Sequence, residues 1–151
     1  MESPKLLQCK LEVMQHVALV TTFIGKFIGH LNKRCIYHDK SKLVDPEVEI
    51  FAEADKLKDI TFGSDEYKQA LADLGPALDH HYEVNDHHPQ HFEKGIEDMD
   101  LMQLTEMFFD WWASTSRHED GDIMKSIEIN SERFGISPQL KRILENTVKR
   151  F

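Results

Sequence analysis

The chain has 151 residues, with 27 acidic against 18 basic side chains, a formal charge of −9 and a pI near 5.4. That length fits one domain over residues 1–151, and the acidic balance excludes a protein whose main task is to coat extended nucleic acid or an anionic membrane, since either needs a basic face. Cys9 and Cys35 are too few for a disulfide framework and form no CxxC pair, so reduced, partly buried thiols are expected.

The start of the chain has no apolar run behind a basic segment, and no uninterrupted apolar span is expected to cross a bilayer, which predicts a soluble cytoplasmic protein. Ser3-Pro4 reads as a cap with proline at the first helical position, opening a long helix as far as Leu31. Its inward stripe is predicted as Cys9, Val13, Val20, Phe23 or Ile24, and Phe27, with His16 on the same stripe. Glu12 precedes His16 by one turn, so the two side chains point at one centre or at each other; a buried histidine bonded to a carboxylate is the plainer alternative.

A short helix is predicted over Lys33 to Lys42, carrying Tyr37-His38-Asp39-Lys40-Ser41-Lys42. An imidazole beside a carboxylate can serve one cation or bridge two, and this donor set suits Mn, Fe, Co, Ni or Zn rather than Ca. Neighbours on a helix diverge by about 100°, so the carboxylate has to reach across. Asp45-Pro46 opens a third helix to about Lys58, with Val48, Phe51, Ala52 and Leu57 inward. Thr61 to Ser64 reads as a turn, a fourth helix runs from Ser64 to about Leu74, and Gly75-Pro76 breaks the chain before a fifth, Ala77 to Val84.

Five of the nine histidines, His80, His81, His87, His88 and His91, fall within twelve residues, a density that a solvated loop does not need. His81 continues the line of Leu74 and Leu78 and points inward, and His80 lies about 100° away. Asn85 to Pro89 is a loop, fixed by proline, that aims His87 and His88.

The helix from Asp98 to Ser116 is strongly amphipathic and predicted to be central to the core. Asp110 interrupts its apolar run; buried, it must be a metal ligand or accept from a donor such as a tryptophan indole. Glu106, one turn earlier, is a weaker candidate on the same side. His118 reads as exposed. Asp122 caps a helix to Phe134 closed by Gly135, and Ser137-Pro138 opens the last. These two helices read as packing elements or an oligomer surface, which leaves a homodimer open. No repeat, low-complexity tract or strand pattern is evident, so the fold class is all-α, a bundle of about seven helices.

In order, His16, His38-Asp39, His81, His87-His88 and Asp110 come from different helices or helix ends. This succession resembles the HD-domain superfamily, in which a histidine, an adjacent His-Asp pair and a distant aspartate bind divalent metal inside a helical bundle. It is also similar to a small group of phage and bacterial proteins with an HDxSK…HH…HH pattern. Lys42 stands at the HDxxK position, Glu12 precedes the first histidine as an added ligand does in a trinuclear branch, and no GYP triplet of the cyclic-dinucleotide enzymes is present. The resemblance implies a metal-dependent phosphohydrolase acting on a small phosphorylated molecule, a nucleotide foremost. Asp39 would bridge two ions; His16, His38 and Asp110 would hold one, and His81, His87 and His88 the other. Lys42, with Lys40, would bind the phosphate. Two alternatives share the residues: a di-iron oxygenase, and a non-enzymatic protein with a structural metal and a partner surface on the last two helices.

Overall fold

A computed structural model describes residues 2–53, 60 and 64–151. All regular structure among the described residues is helical, with seven α-helices and no strand. The chain divides into two compact units, Met1–Tyr37 and His38–Phe151.

The first unit is one helix, α1 (Pro4–Tyr37), begun by Ser3, whose hydroxyl accepts from the Leu6 amide. It does not stop at Leu31. Asn32 to Tyr37 contains neither glycine nor proline, so nothing in the covalent chain interrupts the backbone ladder there. The predicted separate helix over 33–42 is therefore absent, and the chain turns at Asp39, whose φ of 54° is left-handed, into a 3₁₀ turn over Lys40–Leu43. Aspartate is among the few non-glycine residues that enter this region readily.

Taken by itself, α1 buries none of its residues. The predicted inward stripe is corrected accordingly: Cys9, Val13, Val20, Phe23 and Ile24 are exposed, because a unit of one helix holds no second face to cover them. Cys9 and Cys35 are free thiols, exposed rather than partly buried. The stretch Pro4–Leu43 is also long and apolar enough, by length and composition alone, to cross a membrane, with a mean hydropathy of 1.3 in its best window. The expectation concerned an uninterrupted apolar run; polar side chains interrupt this one without lowering its average below that level.

In the second unit, α2 (Glu47–Glu53) is followed by α3 (Asp65–Asp73), opened by the Ser64 hydroxyl accepting from the Tyr67 amide. The predicted end of the third helix near Lys58 and the turn over 61–63 lie outside the described residues. Helix α4 (Gly75–Val84) leads through two 3₁₀ turns, Pro89–His91 and Gly95–Asp98, to α5 (Leu101–Thr115). Asp100 and Gln103 close α5 with a capping box, satisfying amides that a helix start leaves open. Asp122 caps α6 (Ile123–Arg133), which ends at Gly135 with φ 62°, and Ser137 caps α7 (Pro138–Val148).

The core of this unit is built by α5, α6 and α7. Met107, Phe108 and Trp111 meet Ile127, Ile136 and Leu144, with Leu104, Trp112, Phe134 and Leu140 packed around them. Met107, Phe108 and Trp111 fall at helical spacing on one side of α5, as its amphipathic pattern predicts. The polar side of the same helix carries Glu106 and Asp110 to the histidines.

Candidate metal centre

Four elements deliver the side chains. The left-handed turn at Asp39 brings consecutive residues to one centre, where a helix would have required the carboxylate to reach across. His81 comes from the buried side of α4, His87 and His88 from the loop that follows, and Glu106 and Asp110 from α5. The loop is tied at its start. Asn85 donates to the His81 carbonyl at 2.9 Å and to the Ser41 hydroxyl at 2.8 Å, and Gln103 donates to Asp86 at 2.7 Å.

The imidazoles cluster closely, with ring centroids 4.5 Å apart for His38 and His87, 4.1 Å for His87 and His88, and 4.8 Å for His81 and His88. Asp39 turns one oxygen to each side of the cluster. Its Oδ1 lies 3.4 Å from His81 Nε2 and 3.5 Å from His87 Nε2, and its Oδ2 lies 3.6 Å from His38 Nε2. His38 Nε2 is in turn 3.6 Å from Asp110 Oδ1, and His81 Nε2 is 2.9 Å from His88 Nε2. Two groups result, Asp39 with His81, His87 and His88, and His38 with Asp39 and Asp110, sharing the Asp39 carboxylate.

The other ring nitrogens face outward to carboxylates. His38 Nδ1 is 2.8 Å and His87 Nδ1 3.3 Å from Glu106 Oε1. Glu47, with 0% exposure, receives His80 Nδ1 at 2.7 Å, His81 Nδ1 at 2.9 Å and the Ser41 hydroxyl at 3.0 Å. A carboxylate only accepts, so each Nδ1 bonded to one carries a proton, and Nε2 is the nitrogen that faces the cluster. His38, His87 and Glu106 form a third group of suitable geometry. Using it for an ion would require metals on both nitrogens of two imidazoles, so it serves instead to orient them.

Side-chain atoms within this cluster fit a cation. Asp39 Oδ1 and His87 Nε2 are buried and have no hydrogen-bond partner, a costly state for polar atoms unless they are ligands. Donor atoms about 2.1 Å from one cation in tetrahedral array lie about 3.4 Å from each other, close to the spacings around Asp39. Buried His, Asp and Glu groups here can hold a metal ion.

Residues 5–150 match the family of unknown function DUF5662. The chain belongs to this family. No curated protein and no solved structure matches it. In this DUF5662 member the charges of the site oppose one another. Asp110 and Glu106 outweigh burial and raise the His38 pKa to about 10. Burial, then His87 and His81, push His88 down to about 3, so it is neutral near pH 7. For Asp39 burial works upward, but His87 and Lys42 hold its carboxyl well below the usual range. Asp110 is also lowered, His38 overcoming its burial.

Of the predicted site residues, the DUF5662 fold brings His38, Asp39, His81, His87, His88 and Asp110 together. Asp110 faces His38 rather than a tryptophan indole. His16 lies on α1, in the first unit, and Glu12 on the same helix takes a bond from Gln8. Lys42 lies on Asp39 Oδ2 at 2.6 Å, and Lys40 is exposed beside it. His91 bonds the Tyr82 carbonyl, and His118 is exposed as expected. Glu47 was not legible. It reads as one more acidic residue in a helix's first turn, and only the fold shows it buried under two histidines.

Proposed function

We propose that this protein is a metal-dependent phosphohydrolase acting on a small phosphoester, with nucleotides the first class to examine, through a dinuclear centre bridged by Asp39. The observation that carries the reading is the Asp39 carboxylate, with one oxygen toward His81 and His87 and the other toward His38. His38 and Asp110 complete the first position, and His81, His87 and His88 the second. The resemblance of the His-Asp pair and its spacing to HD-domain proteins supports the same reaction class.

Divalent ions held there, Mn, Fe, Co, Ni or Zn by donor type, would supply the Lewis acidity to activate a water and to take up charge on phosphoryl oxygens. Glu106 and Glu47 keep the imidazoles in the tautomer that presents Nε2. Lys42, whose side chain is 38% exposed, shares Asp39 Oδ2 with the first position. With a cation on that oxygen, the Lys42 ammonium would be available to a phosphoryl oxygen, with Lys40 alongside.

The test is metal analysis of protein purified without added metal, followed by turnover against nucleotides and generic phosphoesters for the wild type and for His38→Ala and Asp39→Ala. Loss of both metal and phosphate release in the variants supports the assignment. Unchanged metal content and activity in both would overturn it, and retained iron with oxygen-dependent chemistry and no phosphate release would replace hydrolysis by oxidation.

A further inference from the structure

Two of the metal ligands, His88 and Asp110, form one wall of a cavity of about 380 Å³. That volume lies at the lower end of the range for pockets that enclose small organic ligands. It admits one ring system with its substituents and no polymer.

The lining joins aromatic and polar side chains. Next to the ligands stand aromatic faces. The Tyr82 ring packs edge-on against His88 at 5.1 Å, and Trp111 is held by stacking at 6.1 Å on Phe134. Tyr67 lines the same cavity, and burial pushes its hydroxyl pKa up. The lining also includes a polar face of α6, where Ser126, Asn130 and Arg133 recur at helical spacing. Ser126 and Asn130 are buried, and the Asn130 amide donates to the Ser126 carbonyl at 3.0 Å and to its hydroxyl at 3.2 Å, which fixes this floor. The helix read from sequence as a packing element or an oligomer surface thus presents polar side chains and the Arg133 guanidinium to the cavity. Gly121 closes the rim; a Cβ there would fall 1.8 Å from the Thr115 carbonyl oxygen.

We propose that this cavity binds the organic part of the substrate, and that the substrate is a phosphomonoester carrying a single aromatic or heteroaromatic ring system. The ring lies against Tyr82, Tyr67 and Trp111, with its phosphate toward His88 and Asp110 and its polar substituents toward Ser126, Asn130 and Arg133. Simple alkyl phosphates leave the aromatic wall uncovered. This rests on the phosphohydrolase reading, and the experiment separates the two.

Methylphosphonate and phenylphosphonate share a headgroup that is not hydrolysed and differ in the ring. Calorimetric titration of both into the manganese-loaded full chain should show phenylphosphonate binding about tenfold more tightly, the order expected for burying and stacking one ring. Tyr82→Leu, which removes the aromatic face, and Ser114→Phe, which fills the cavity from α5, should each narrow that gap to about threefold or less while leaving manganese content unchanged. Equal binding of the two probes to wild type overturns this assignment and leaves the hydrolase standing. Binding of neither sinks both.

Discussion

Nδ1 of His38 lies 2.8 Å from a carboxylate oxygen of Glu106, and that oxygen is also 3.3 Å from Nδ1 of His87. One side chain on α5 thereby orients an imidazole from each group. In Glu106→Gln the amide presents an N–H where an acceptor is needed, or accepts only weakly. Metal affinity should fall by about ten- to hundredfold with helical content unchanged. Metal titration followed alongside circular dichroism checks this; unaltered affinity would assign Glu106 to packing only.

Buried ligand atoms without partners imply that the metal-free protein carries a cost that a cation removes. Asp39 Oδ1 and His87 Nε2 are in this state. Added Mn or Zn at a hundred times its dissociation constant should stabilise the fold by about 2.7 kcal/mol, and chelation should lower the melting temperature correspondingly. Thermal scans with and without chelator decide the matter. A melting point indifferent to metal would leave no role for the cluster as a binding site.

The His38 pKa, raised from 6.5 to about 10 by Asp110 and Glu106, gives a signed pH dependence. Because the folded value exceeds the unfolded one, this contribution to metal-free stability is complete below about 6.5 and is lost as pH rises through about 10. A cation must displace the same proton, so apparent metal affinity should rise with pH across that window. His88, neutral already, should contribute no such slope. Proton release on metal binding, measured in two buffers of different ionisation enthalpy, reads this directly.

Lys42 competes with metal for Asp39 Oδ2 before substrate arrives. Lys42→Met should therefore bind metal at least as well as the wild type, yet lose turnover by a factor on the order of a hundred, as expected for removing one donor to developing phosphoryl charge. Parallel metal analysis and kinetics separate the two effects, and a variant with full activity would remove Lys42 from the phosphate site.

Met107 is fully buried where α5 meets α6 and α7. Met107→Ala should cost about 2–5 kcal/mol in unfolding free energy, seen by denaturant titration. Metal binding at saturating concentration should survive, since Met107 lies on the apolar side of α5 and the ligands on the other.

Much of the helical punctuation was legible because it is local. Ser3-Pro4, Asp122, Gly135 and Ser137-Pro138 act through bonds to residues a few positions away, and the structure finds those helix ends near where they were expected. Residue chemistry likewise singled out His38, Asp39, His81, His87, His88 and Asp110, since clustered imidazoles and a carboxylate in an apolar run are costly without a shared purpose. What the sequence could not determine is direction. The turn at Asp39 is a choice among backbone states separated by about 1–2 kcal/mol, which nearby hydrogen bonds and packing settle. Glu47 is buried, Asp39 divides its oxygens between two groups, and a polar face of α6 borders a cavity, because residues distant in the chain occupy the same space. Local propensity does not encode such neighbours; only the packed second unit does.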